Sequence, residues 1–194
     1  MAEYTALYEA AQAVVELLRQ EMTPEPISKP ELIGLCAPYE PEDFQLTVYL
    51  YAMEEEPPGR DPAHGFVQEG RQTQRMAPLA LNLHLALTAH SKAPAITRAA
   101  DEYRILGRAM QVIRDHPDLA PYAAGSLAAS GQPIRLSLEK ALPPETLPRI
   151  WSGSNKPYKL SFGCLVQAVR IDSERVRTVA RVRHIRIETE DTSR

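Results

Sequence analysis

The chain has 194 residues, 44% hydrophobic and 24% charged, the balance of a globular protein long enough to bury a core without disulfides or a metal. No apolar run approaches the ~18 residues of a membrane span, and a net charge of −3 argues against a dedicated nucleic-acid binder. Proline is nearly double its usual ~5%, at 17 residues, and charge is lopsided: residues 1–91 carry a net −9 and residues 92–194 a net +6.

Residues 4–20 read as a helix, because Leu7, Ala10, Ala11, Val14, Val15, Leu17 and Leu18 recur at three-four spacing. Pro24 and Pro26 stop it. Residues 23–43 hold five prolines and form an extended connector, with Leu32–Cys36 as a short strand. Residues 44–53 alternate: Phe44, Leu46, Val48, Leu50 and Ala52 face one way, with Gln45, Thr47, Tyr49 and Tyr51 opposite. Residues 54–77 read as one long polar loop, expected to be mobile and to order on docking.

A leucine at every odd position from Leu79 to Leu87 makes 79–90 the strongest strand signal. A helix over about 96–115 follows, with Ile96, Ala99, Tyr103, Leu106, Met110 and Ile113 inward and Pro117 as its stop. Residues 119–131 are small and flexible. Ile134–Leu138 form a short strand, and Pro143-Pro144-Glu145 opens a short helix through Trp151. Residues 158–171 and 176–188 read as the two strands of a hairpin, with a frayed tail over 188–194. Strands in runs, joined by hairpins or single helices, predict an α+β fold: a largely antiparallel sheet with helices packed on one face. The expected organisation is a single domain, 1–194.

Few residues look like chemistry. Asp115-His116-Pro117-Asp118 resembles an acid/base cluster, yet a histidine at a helix C-terminus before a proline is an ordinary end. His84 and His90 share a strand face about 20 Å apart, at ~3.3 Å per residue, too far to share a metal, and point to a solvent-facing or interface role. The glycine- and serine-rich stretches at 125–131 and 153–156 match neither a nucleophile elbow nor a phosphate loop. Cys36 and Cys164 lack zinc or redox spacing, and Cys164 in an apolar strand reads as core. The acidic start Met1-Ala2-Glu3 does not read as a secretory signal, so cytoplasmic synthesis is the default. No catalytic residue, cofactor or metal site is expected.

The remaining signal is charge. Arg170, Arg175, Arg177, Arg181, Arg183 and Arg186 concentrate near the C-terminal end, while Glu54, Glu55, Glu56 and Asp61 follow the first strand. Arginines there can simply discourage edge aggregation. They can also form a partner interface or contact nucleic acid, although aromatic side chains for base stacking are missing there.

Four blocks in order carry a family resemblance: Gln45–Tyr51; Ala77–Thr88 with Leu81-Asn82-Leu83-His84; Ile105–Asp115 with Leu106-Gly107-Arg108-Ala109-Met110; and Tyr158–Val169, with Trp151 just before it. Together they resemble the cap, or tail-terminator, proteins of extracellular contractile injection systems, of the Photorhabdus virulence cassette and antifeeding prophage type. The resemblance implies a phage tail-terminator-like fold and a non-enzymatic structural role. Six copies would form a ring that ends the inner tube and contacts the sheath, as part of a phage-tail-like particle assembled in the cytoplasm. Leu85 and Ala86 depart from it, standing where a larger, often aromatic pair is expected, and the chain stops where some members continue. A closed ring needs two complementary surfaces on each subunit. The acidic loop 54–61 of one subunit is therefore expected to meet the arginine hairpin of the next. The alternatives are another tail-completion or baseplate adaptor protein, or a nucleic-acid-binding module using the C-terminal arginines.

Overall fold

In a computed structural model, which describes residues 2–56, 65–70, 72–140, 143 and 145–179, the first helix, α1, runs from Ala6 to Met22. Its three-four spacing puts Ala10, Val14, Leu17 and Leu18 on one fully buried face. A 3₁₀ turn at Pro30–Leu32 leads into β1, Ile33–Leu35. The remaining elements are β2 (Leu46–Glu55), β3 (Phe66–Gln68), β4 (Thr73–Met76), β5 (Leu79–Ala89), α2 (Ala95–Asp115), α3 (Gly125–Ser130), β6 (Arg135–Leu138), α4 (Thr146–Trp151), β7 (Ser161–Ile171) and β8 (Val176–Thr178). The class is α+β, and all pairings but one are antiparallel.

The chain divides into two compact units, Met1–Pro57 with Leu79–Asp172, and Pro58–Pro78 with Ser173–Arg194. The first holds a five-stranded sheet in the order β1-β2-β5-β7-β6, with only β1 and β2 parallel. Leu81, Leu83, Leu85 and Leu87 are buried on one face and join α1 and the C-terminal half of α2 in the core. Phe44 lies directly against Gly34, where a Cβ would overlap its ring. Two bulges interrupt the ladders. One falls between Leu50 and Ala52 of β2; the other lies opposite Leu81/Leu83, where Ala168 takes φ +65°. An alanine in that left-handed region is strained by about 1 kcal/mol. The Leu85-Ala86 departure is absorbed without exposure: both are buried, and Ala86 sits between Tyr49 and Gly163 in register. Among the described residues, no helix is long and apolar enough to cross a membrane.

Two contacts distant in sequence lock this unit. The Ala2 backbone N–H donates to Asp172 Oδ2 at 2.8 Å, and the Asp172 N–H returns to Ala2 O at 2.9 Å. Glu9 of α1 reaches the first turn of α3, accepting from the N–H groups of Ser126 and Leu127 and from Ser126 Oγ. Burial raises the Glu9 pKa, but these bonds and one from Thr5 outweigh it and hold the carboxyl below its ordinary value. Gly125 stands at φ +62° with the Glu9 carboxylate where its Cβ would be.

The second unit holds a three-stranded sheet, β3-β4-β8, with β4 central. Here the expected loop over 54–77 is corrected at its described residues; residues 57–64 and 71 lie outside them. β2 extends to Glu55, and residues 66–68 and 73–76 pair as strands around Gly70. Their sequence, Phe-Val-Gln and Thr-Gln-Arg-Met, is too polar to show a buried face. The start of the expected terminal hairpin strand is corrected too: β8 pairs with β4, not β7, while β7 lies between β5 and β6, and residues 180–188 of that expected strand lie outside the described residues.

Other departures are local. Residues 119–131 contain a 3₁₀ turn and α3. In α2, Ile96 is 93% exposed and Tyr103 59%; the buried face is Ile105, Leu106, Ala109, Val112 and Ile113, because only the second half of the helix meets the core. His116 caps α2, its Nδ1 bonded to Val112 O at 3.0 Å, as an ordinary helix end predicts. Cys164 is fully buried, and burial pushes its thiol well above the usual range. The tail 188–194 lies outside the described residues.

His90 is not solvent-facing. It is buried, with Nε2 3.1 Å from Thr47 Oγ1. Thr47 donates its hydroxyl to Thr88 O, so it accepts the His90 N–H. Burial, then the nearby Lys159 charge, pushes the His90 pKa down to about 4. Glu102 opposes the shift.

Two outcomes follow. Replacing Glu9 by alanine should cost about 1–2 kcal/mol in denaturant unfolding, by removing charged bonds from the α3 amides. His90 binds a proton in the unfolded chain below pH 6.5 but in the folded chain only near pH 4. Stability should therefore fall as pH drops through that window, by up to about 3 kcal/mol. H90Q should flatten that part of the curve in pH-dependent melting.

Candidate subunit interface

The acidic candidates sit where β2 runs out of apolar residues. Glu54, Glu55 and Glu56 are exposed, with Glu54 opposite Asn82 and Glu55 opposite Leu81 of β5. The Glu56 N–H donates to Ala80 O at 2.9 Å. Ala80 pairs in turn with Arg170 of β7. Arg170 therefore stands at the same end of the sheet as the three glutamates, two strand spacings away, about 10 Å. That end is thus mixed in charge, with acid in excess.

One glutamate connects this end to a network across the sheet. His84 of β5 lies between Glu54 Oε1, 3.6 Å from Nε2, and Glu139 Oε1, 2.9 Å from Nδ1. Tyr51 donates its hydroxyl to Glu139 Oε2 at 2.7 Å, and its ring centroid is 5.9 Å from that of His84. Burial, reinforced by the Glu139 carboxylate, raises the Tyr51 phenol well above its ordinary value. His84 thus takes an internal role, although one of its partners, Glu54, is itself exposed. Sequence reading flagged His84 but missed Tyr51 and Glu139, because Glu139 lies 55 residues further along the chain and nothing local marks the pair.

The basic candidates in the second unit are organised by one aromatic ring. Arg177 of β8 places its guanidinium carbon 4.0 Å from the Phe66 centroid, and Arg175 lies at 5.6 Å. Arg177 also donates from Nε and Nη2 to Gln74 Oε1, at 3.0 and 2.8 Å, across the β4–β8 register. Arg75 pairs with Glu69 at 2.9 Å and donates to Ser173 O. A guanidinium stacked on a ring and held by an amide has few rotamers left to lose, so it is pre-organised for a carboxylate. Phe66 and Gln74 carried no signal in the sequence, since each belongs to a strand too short and polar to be recognised. Asp61, Arg181 and Arg183 lie outside the described residues.

The structure therefore brings Glu54, Glu55, Glu56 and Arg170 to one end of the first unit's sheet, and Arg175 and Arg177 around Phe66 in the second unit. F66A should free Arg177, lowering stability by about 0.5–1 kcal/mol in thermal melting, while F66Y should retain the stack and the wild-type melting temperature.

No curated protein matches the chain. Among solved structures, the PVC sheath/tube terminator of an extracellular contractile injection system, seen by cryo-EM in its extended state, is similar with a TM-score of 0.64 at 13% identity, covering 100% of this chain and 66% of that one. The anti-feeding prophage cap, a tube-terminating cap, is similar with a TM-score of 0.54 at 14% identity, covering 91% of this chain and 59% of that one. The chain thus spans about two thirds or less of the length of these two proteins, with which it shares its fold. The family described as the Pvc16 N-terminal domain matches residues 9–184, nearly the whole chain. The chain belongs to the Pvc16 N-terminal domain family.

Proposed function

We propose that this chain is the cap of a phage-tail-like contractile injection particle, a structural subunit without catalytic activity that terminates the inner tube and contacts the sheath. The observation that carries this reading is the fold likeness to a sheath/tube terminator over the full length of the chain, together with the family match over residues 9–184. The residues that resembled chemistry support it by their engagements. His116 caps a helix, His90 is bonded within the sheet, and Cys164 is sealed in the core.

In this reading six copies form a ring on the distal end of the tube, after synthesis and assembly in the cytoplasm. A ring joins unlike surfaces head to tail. The acidic end of β2, continuing through Asp61, faces the arginines of the next subunit: Arg175 and Arg177 on Phe66, then Arg181 and Arg183. Opposite charge at such a contact sets register and association rate more than affinity.

Cryo-EM of the purified particle tests the placement: a ring of this subunit at the distal tube end is expected, and its location at the baseplate would overturn the reading. Particles assembled with R177E/R181E should show fewer capped tubes in micrographs, whereas undiminished capping at physiological salt would remove the arginines from the contact.

A further inference from the structure

The two edges of the five-stranded sheet are finished differently. At β6 the outer edge is covered by the chain itself: Leu119 donates to Ile134 O at 3.0 Å, Leu136 donates to Pro117 O at 2.9 Å, and Asp118 bridges Arg135. At the other edge β1 covers β2 only from Leu46 to Val48, with a last bond from the Cys36 N–H to Val48 O. Beyond Val48, no described residue pairs with that side of β2. Since the Glu56 N–H points to β5, alternation turns the N–H and C=O of Glu55 and Met53 outward, onto the open edge.

That open edge has two chemistries along its length. Beside its first half lies an apolar groove of about 360 Å³, lined by Leu7 and Tyr8 of α1, Leu35 of β1, and Val48 and Leu50 of β2. At its far end stand the exposed Glu54, Glu55 and Glu56. On the groove's face, where Glu55 pairs with Leu81 and Leu50 with Leu85, a strand filling this edge needs basic side chains toward Glu55 and apolar ones toward Leu50, four ladder positions away.

Residues 179–187, Val-Ala-Arg-Val-Arg-His-Ile-Arg-Ile, carry that pattern. Arg181 and Arg183 come first; Ile185 and Ile187 follow at the same alternate positions. We propose that the 179–187 segment of a second copy of this chain adds to β2 as an antiparallel strand. Its arginines meet Glu55, which shares the groove's face of β2 through its pairing with Leu81, and its two isoleucines enter the groove beside α1. Antiparallel direction is required, because parallel addition would set Arg181 in the apolar groove and Ile187 among carboxylates. Main-chain bonds supply the adhesion and the alternating side chains the register. This rests on the self-assembly part of the proposed function and gives each subunit one acceptor edge and one donor strand.

A labelled synthetic peptide of residues 177–190 provides the probe, titrated by fluorescence anisotropy against the full chain carrying R181E/R183E to disable its own segment. Saturable binding is expected, weakened about tenfold or more by M53P, which removes an outward donor while leaving the bonds to β5. Should M53P fail to fold, E54K/E55K/E56K serves instead: it should lose the wild-type peptide and gain one in which the arginines are glutamates. No binding, or equal binding by M53P and the parent, overturns the proposal. Wild-type chain that stays monomeric while its Met53 and Glu55 amides are protected from hydrogen exchange also overturns it, in favour of the chain's own segment. Particle micrographs answer the cap reading separately, so a distal ring without peptide binding would sink this inference alone.

Discussion

Strand β5 lies between β2 and β7 over nearly its whole length, and its leucines share one core with both long helices. Each of Leu81, Leu83, Leu85 and Leu87 is held in register from two sides and packed from a third. A one-residue slip would turn all four to the other face and bring Asn82, His84 and Thr88 into the leucine core. The positions of the bulges, the placement of α2 and the end at which the glutamates emerge all follow from that register. So does the network of Tyr51, His84 and Glu139, which forms because the face opposite the leucines is obliged to carry the polar residues.

The parts of the fold with a buried apolar face could be read from the sequence, because burial writes a period into it. The leucines of β5, the alternation of β2 and the three-four spacing of α1 each announce an element within one or two residues of its observed ends. The inward face of α2 could not be read, since Ile96 and Tyr103 have the periodicity of a core face while the helix overhangs it. β3 and β4 could not be read either: Thr-Gln-Arg-Met pairs through its backbone, and its side chains do not record the fact. The partner of β8 is a question of topology, which local pattern does not encode; adjacency suggested β7, and the chain chose β4, about a hundred residues earlier.

For the interface the limit is similar. Charge singled out the glutamates and arginines as candidates, and charge is visible one residue at a time. The ring that holds Arg177 is 111 positions away in the chain, and among the described residues the far side of β2 beyond Val48 lacks a partner because β1 stops after three residues. Neither has a signature in the segment where it acts. The family resemblance supplied what pattern could not, since order and spacing of blocks survive where contacts are invisible. The match over residues 9–184 bears it out.

The paired bonds between Ala2 and Asp172 have a consequence for the order of events during synthesis. α1 is synthesised before β7, yet part of its buried face rests on that strand, and the segment leading into it is fastened through Ala2 to a residue 170 positions later. Until Asp172 has been released, the helix can be wound but not seated, and its apolar stripe stands open to other chains. The first unit therefore closes only after β7 and Asp172 are available. A tight, long-range clasp of this kind favours slow, all-or-none completion over piecemeal assembly.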